Sequence, residues 1–280
     1  MAVVGGTRGL GRELVTQGLR RGHDVVAYGR SAATTTAADA APEQERFRAR
    51  VLDLTDPAAV DAADLDGLRG PGPLYLFWVA GAFLRRPLAL TAPQEIDHLT
   101  ALLWLGPVRL LRRLLADPWT SAPHRPLHLV TVASSSSWRA REEQSLYCGL
   151  KAAQAAFTRG LAPELLAADP SHRVTLVHPG AMATAGFHDD LDLTPAELAA
   201  FMDPADVAAE IWRLVDRPAP TDGPDQRFLE AQLLRGETDP ATGRAAPRLV
   251  PGPQAPEPPT LPEALPLPEA LPLPEPARTS

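Results

Sequence analysis

Ala2-Val3-Val4-Gly5-Gly6-Thr7-Arg8-Gly9-Leu10-Gly11-Arg12-Glu13-Leu14 is the stretch that decides the fold. Residues 2–4 are apolar and β-branched enough for a very short strand. Glycines at 5, 9 and 11 then give the pattern G-x-x-x-G-x-G, and Leu10, Leu14 and Leu19 recur at the spacing of one helix face. A glycine loop between a strand and a helix lets backbone N–H groups close in on a pyrophosphate, with the partial positive charge of the helix N-terminus behind them. An ordinary turn is the plain alternative, and the placement between strand and helix weighs against it. Met1 stands almost inside the strand, so the natural start lies a few residues upstream or the strand is cut short.

Outward from the loop, the pattern repeats. Residues 24–28, 50–54, 74–79, 127–133 and 173–178 read as strands, and long helices are predicted over about 93–115 and 144–167. Strands alternating with helices imply parallel βαβ units, right-handed crossovers and a sheet covered on both faces. The expectation is a single α/β domain over residues 1–235, a doubly wound parallel sheet of Rossmann type. Such sheets bind ligands at the carboxyl ends of their strands, where the glycine loop, Gly81, the serines at 134–137 and Pro179 all fall. Residues 236–280 read differently. Thirteen of the 31 prolines lie from 240 to 276, and the hexapeptide Pro-Glu-Ala-Leu-Pro-Leu at 262–267 repeats at 268–273. Proline at this density cannot supply helix or ladder donors, so a disordered, polyproline-like C-terminal tail is expected, remote from any chemistry.

Composition closes off other classes. With 280 residues and a net charge of −7, the chain is a poor partner for a nucleic-acid backbone. The one cysteine, Cys148, excludes an internal disulfide framework and fits a reducing cytoplasm. No run of 18 apolar residues appears, so no membrane span is expected, and no signal peptide is visible. The seven histidines show no paired ligand spacing, so no metal site is expected. The chain holds a single lysine beside 26 arginines, no asparagine and two isoleucines, a signature of codon bias toward G and C. That lone Lys151 stands four residues after Tyr147, where a compact ammonium and not a wide guanidinium is called for.

Two constellations carry chemistry. A carboxylate near the end of the second strand would bind a ribose 2′-hydroxyl, but that stretch reads Tyr28-Gly29-Arg30. Arg30, with Arg8 in the glycine loop, faces a 2′-phosphate instead, so NADP is expected over NAD. Ser134 follows the fifth strand, and Tyr147 and Lys151 lie one turn apart on one face of the next helix. A serine hydroxyl can hold a carbonyl oxygen, a tyrosine can donate a proton, and a nearby ammonium lowers the phenol's ordinary value of about 10.

These motifs resemble the short-chain dehydrogenase/reductase family over roughly residues 1–235. The glycine motif, Asp53, Ser134, Tyr147-x-x-x-Lys151 and Pro179-Gly180-x-x-x-Thr184 fall in that family's order and at its spacings. The resemblance implies Tyr147 as acid/base, Lys151 as the group that lowers its pKa and holds the nicotinamide ribose, and Ser134 as the substrate-orienting hydroxyl, with Ser135 and Ser136 open if the loop is shifted. It implies a cofactor site of Gly5, Thr7, Arg8, Gly9, Leu10 and Gly11, then Arg30, Asp53, Leu54, Ala80 and Gly81, and finally Tyr147, Lys151, Pro179, Gly180 and Thr184. Asp53 is expected at the adenine.

Two departures stand out. The family's Asn-Asn-Ala-Gly reads Trp78-Val79-Ala80-Gly81, and its helix asparagine, aligned by Gly106-Pro107, is Leu103. Leucine cannot hold the water that relays protons to the lysine. The expected activity is hydride transfer to or from a small-molecule carbonyl or secondary alcohol. Met182, Phe187, Phe201 and Trp138 suggest a partly apolar substrate pocket. A nucleotide-binding sensor or scaffold without turnover is the first alternative, and a sugar-nucleotide epimerase the weaker second. The resemblance implies a homodimer or homotetramer, since the helices at 93–115 and 144–167 form subunit contacts in that family, and Leu102, Leu103, Leu110, Leu111 and Leu114 are more than one buried stripe needs.

Overall fold

The computed structural model describes residues 1–30, 44–70, 72–117, 125–184, 187, 193–194, 197–198, 200–217, 227–238 and 244–253. Eight strands form one sheet in the order β3-β2-β1-β4-β5-β6-β7-β8. They are β1 (Ala2–Val4), β2 (Val25–Gly29), β3 (Phe47–Val51), β4 (Leu74–Trp78), β5 (Leu127–Val132), β6 (Arg173–Pro179), β7 (Phe228–Thr238) and β8 (Ala245–Pro251). All neighbouring pairs from β3 to β7 are parallel, and β8 is antiparallel to β7. The chain leaves β1 toward β2 and β3, then returns to its other side at β4. That reversal opens a crevice beyond the ends of β1 and β4.

The helices are α1 (Gly9–Arg20), α2 (Pro57–Asp61), α3 (Pro93–Thr100), α4 (Gly106–Ala116), α5 (Ser145–Ala168) and α6 (Pro204–Val215). Side chains alternate across the sheet and build a core on each face. Val3 and Phe77 join Leu14, Leu19, Ile211 and Trp212 under α1 and α6. Leu74 and Leu76 join Leu110, Leu114, Leu161 and Leu165 under α4 and α5. Trp212 is fully buried, and its indole N–H donates to the Leu14 carbonyl, 3.3 Å away.

Three expectations change. The helix predicted as continuous over 93–115 contains a π-helical turn, Ala101–Leu105, between α3 and α4. Its cause is in the sequence: the Leu103 carbonyl would take its α-helical bond from the N–H of residue 107, and Pro107 has none. The third strand lies three residues earlier than expected. Phe47, Ala49 and Val51 alternate with Arg48 and Arg50, a period of two that suits an exposed edge, while Leu52 and Leu54 leave the sheet and are buried. The boundary expected at 235/236 falls inside β7, and residues 245–251, grouped above with the tail, pair as β8. An edge strand tolerates Pro247 and Pro251 because it needs only one row of ladder bonds. The hexapeptide repeat at 262–273 lies outside the described residues.

Candidate active site

A cavity of about 400 Å³ lies beyond the carboxyl ends of β1, β2, β4, β5 and β6. It runs from Gly29 and Arg30, past the glycine loop, to Ser134, Tyr147, Phe187 and Phe201. The loop is folded back hard: Gly5 and Gly6 both donate their N–H to the Tyr28 carbonyl, at 2.9 and 3.1 Å. Two glycines are obligatory here. Gly5 has φ +91°, and a Cβ there would stand 2.6 Å from the Ala80 backbone; a Cβ at Gly11 would stand 2.0 Å from the Gly5 carbonyl oxygen. Arg8, the N-cap of α1, makes no side-chain cap, and the first turn carries no acidic residue. The turn's N–H groups and the helix dipole thus face the cavity with no internal anion.

Gly5, Thr7, Arg8, Gly9, Leu10, Gly11, Arg30, Leu54, Ala80, Gly81, Ser134, Tyr147, Lys151, Pro179, Gly180 and Thr184 all line this one cavity. Asp53 is the exception. Its carboxylate accepts from the Thr55 N–H at 2.8 Å and the Thr55 hydroxyl at 2.7 Å, closing the turn after β3. Those two bonds hold its carboxyl below the usual range, helped by the nearby Arg30 charge. Among the described lining residues every charge is a cation: Arg8, Arg30, Arg141 and Lys151.

Ser134 ends the path out of β5. Its side chain accepts from the Ser136 N–H at 3.1 Å and lies near enough to the Tyr147 phenol to lower its pKa slightly. Tyr147 and Lys151 are both buried on α5. The direction expected for the phenol is not the one found. Burial pushes Tyr147 up to about 12, only partly offset by Ser134, and pushes Lys151 down to about 7. Both groups are desolvated together, so each resists its charged form. The Lys151 ammonium donates to the Val132 carbonyl at 3.1 Å and to Gln154 Oε1 at 2.9 Å.

The surroundings of several residues were not legible in the sequence. Leu103 turns its side chain into a small cluster with Leu99 and Tyr147, so the phenol packs against hydrocarbon on that side. Trp78 is buried, edge-on to Phe157 at 6.2 Å. His178, wholly buried, contacts the Ser134 carbonyl through Nδ1 at 3.3 Å and Glu230 through Nε2 at 2.7 Å. Glu230 also takes both prongs of Arg159, at 2.9 and 2.6 Å. This network anchors the Ser134 loop to β6 and β7. The proline after His178 was legible, but its carboxylate partner lies 52 residues on, beyond any local spacing signal. Phe83, Arg141 and Gln144 also line the substrate end, with no motif to mark them.

Comparison with known proteins follows the same outline. Residues 1–192 match the family model for the short chain dehydrogenases. A search of curated proteins gives no match. Among solved structures, a short-chain dehydrogenase from Streptomyces avermitilis is similar at 26% identity and a TM-score of 0.64, over 82% of this chain and 86% of that one. ElxO with NADP bound is similar at 18% identity and a TM-score of 0.69, over 83% and 96%. The 3-ketoacyl-(acyl-carrier-protein) reductase from Brucella melitensis complexed with NADH is similar at 21% identity and a TM-score of 0.65, over 83% and 95%. The latter two are likenesses of fold. The matched span takes in the glycine loop, the parallel sheet as far as β6 and every residue from Ser134 to Thr184 discussed above, and the chain belongs to the short chain dehydrogenase family of oxidoreductases.

Proposed function

We propose that this chain is an NADP(H)-dependent reductase of carbonyl compounds, running in the other direction on secondary alcohols, with Tyr147 as acid/base. The observation that carries this reading is the meeting of Ser134, Tyr147 and Lys151 at one end of a cavity that runs past the glycine loop to Arg30. The residues suit a pyrophosphate-bearing nucleotide: an uncapped α1 N-terminus, two glycines packed against backbone, and cations alone among the described wall charges. Arg8 and Arg30 would hold the 2′-phosphate that separates NADP from NAD. A relative in fold binds NADP and another NADH, so this preference rests on the two arginines.

When bound, a reduced nicotinamide supplies the hydride. Ser134 holds the substrate oxygen, and Tyr147 gives it the proton. A phenol pushed up to about 12 by burial keeps that proton at neutral pH, which suits a donor. The phenolate left behind is stabilised by the neighbouring Ser134 hydroxyl and by Lys151 one turn away. Phe83, Met182, Phe187 and Phe201 make the substrate end partly apolar. We also propose a cytoplasmic homo-oligomer. Leu105, 49% exposed beside Trp104 at the π turn, is apolar surface for a second copy to cover. Among the described residues no helix is long and apolar enough to cross a membrane.

The test has two parts. NADPH should raise the melting temperature more than NADH by mass action, and an unchanged midpoint with both would remove the basis of the site. Turnover of a panel of ketones and aldehydes should be lost in Tyr147→Phe with the NADPH shift retained. Tight NADPH binding with no turnover by the unmodified chain would instead favour a sensor.

A further inference from the structure

Gln154 has no role in the family's motif, yet it is buried completely and touches the lysine. Its Oε1 accepts from Lys151 Nζ at 2.9 Å, and its Nε2 donates to the Leu103 carbonyl at 2.6 Å. The amide orientation is fixed by its partners. An ammonium only donates and a carbonyl only accepts, so the reverse orientation would break both bonds. The Leu103 carbonyl is available because Pro107 denies it an α-helical donor and the chain winds there as a π turn. Two sequence features 47 residues apart, Pro107 and Gln154, therefore make one device. A strut runs from the π turn, through a side-chain amide, to the ammonium.

We propose that Gln154 is a positioning residue for Lys151, holding its ammonium beside Tyr147 by tying it to the carbonyl that Pro107 frees at Leu103. It fills the space between lysine and helix with a fixed, non-titrating dipole. This rests on the reading of Lys151 as Tyr147's partner. Two oxygens hold the ammonium, and two further residues lie around it. Val132 on β5 and Gln154 on α5 accept from it. Gly81, after β4, comes close enough that a Cβ there would stand 3.8 Å from Nζ. Tyr147 is the other titratable side chain on its helix face. No nearby charge but burial acts on Lys151 among the described residues, so its titration reports the strut directly.

The chain's single lysine makes the experiment clean. Protein grown with lysine labelled at Cε with carbon-13 gives one lysine signal, whose pH titration follows Lys151 with no need of turnover. Removing the amide in Gln154→Met deletes a hydrogen bond to the charged form at nearly constant volume. The titration midpoint should fall by about one pH unit, the tenfold expected from a charge-assisted bond. Gln154→Glu presents a carboxylate at the same place and should raise the midpoint. Pro107→Ala returns an N–H to the Leu103 carbonyl, competes with Gln154, and should move the midpoint in the direction of Gln154→Met by a smaller amount. In a turnover assay, Gln154→Met should lower kcat about tenfold and leave KM within about twofold, as for a group that acts in the transition state alone.

Midpoints that agree within 0.2 of a pH unit, roughly a 1.6-fold change in the equilibrium, in folded Gln154→Met and Gln154→Glu would overturn the proposal. Should Gln154→Met fail to fold, Gln154→Glu and Pro107→Ala decide the matter by the same signal. Shifted midpoints with no turnover in any protein would keep the strut and reject the enzymatic reading. Unshifted midpoints with normal turnover would do the reverse.

Discussion

Lys151→Met should make the protein's stability less dependent on pH, by an amount the buried ammonium sets. Lys151 is 4% exposed, and burial lowers its pKa from 10.5 to about 7. Unfolded, the lysine keeps its ordinary value. Well below pH 7 both states are charged and the folded state bears the cost of a desolvated ammonium; near pH 7 the folded lysine is half protonated. Between about pH 7 and 10.5 the unfolded chain binds more protons than the folded one, so stability rises with pH and the cost fades. Integrating over that difference gives a gain of about 3 kcal/mol for the wild-type lysine between pH 7 and 9.5. Methionine has no such gain. It leaves the Val132 carbonyl and Gln154 Oε1 without their donor, a loss of about 1–3 kcal/mol each. That loss does not depend on pH and cancels when two pH values are compared. Urea unfolding of both proteins, followed by tryptophan fluorescence at several pH values from 7 to 9.5, gives the difference directly. Wild type should gain on the variant throughout. A difference constant to within about 0.5 kcal/mol would refute the claim that Lys151 is held against its charge.

Other perturbations follow from the same geometry. Gly11→Ala drives a methyl to 2.0 Å from the Gly5 carbonyl; it should cost about 1–3 kcal/mol and abolish the NADPH-induced rise in melting temperature, both read in one thermal-shift series. Arg30→Asp replaces the cation proposed to face the 2′-phosphate by a carboxylate suited to a ribose 2′-hydroxyl. The Kd for NADPH should rise at least about tenfold while that for NADH holds or falls, and an unchanged ratio would assign the cofactor preference elsewhere. Glu230 is burdened by burial, but the bonds from His178 and Arg159 outweigh it and hold its carboxyl below 4.5. Its stabilisation is present above that ordinary value and lost as pH falls through the lowered one. Glu230→Gln should therefore cost about 1–3 kcal/mol at pH 7 and progressively less toward pH 3.5, measured by urea unfolding at both ends.

Much of this was legible in the residues. The glycine loop, the order of strands and helices, and the partners Ser134, Tyr147 and Lys151 all follow from local periodicity and short motifs. Sixteen of the seventeen residues that the motifs singled out line one cavity, Asp53 being the exception. Asp53 stands outside the lining, its carboxylate taken up by two donors of its neighbour Thr55, which spacing does not reveal. The phenol's direction fails for a related reason. A motif gives the neighbour's charge but not the depth of burial, and burial dominates here. β7 and β8 were hidden by composition: prolines in 240–253 resemble those of the repeat, and only pairing partners tell an edge strand from a tail. The Gln154 strut depended on two separate anomalies, a proline inside a helix and a glutamine on a core face. Each was visible alone, and neither points to the other.

The edge strand β8 has a bearing on how the molecule keeps apart from its neighbours in a crowded solution. The Gly252 N–H points inward, to the Glu230 carbonyl at 3.0 Å. Successive N–H groups alternate in direction, so residues 247, 249 and 251 point theirs outward. Two of those three are proline, leaving Leu249 as the lone donor among them. A strand from another molecule approaching that edge meets missing rungs, which discourages the sheet-to-sheet association that ends in aggregates. Cutting the chain at the composition change near residue 236 would remove that guard. The bared parallel edge of β7, with Leu229 and Leu233 on it, would then be open to strand addition.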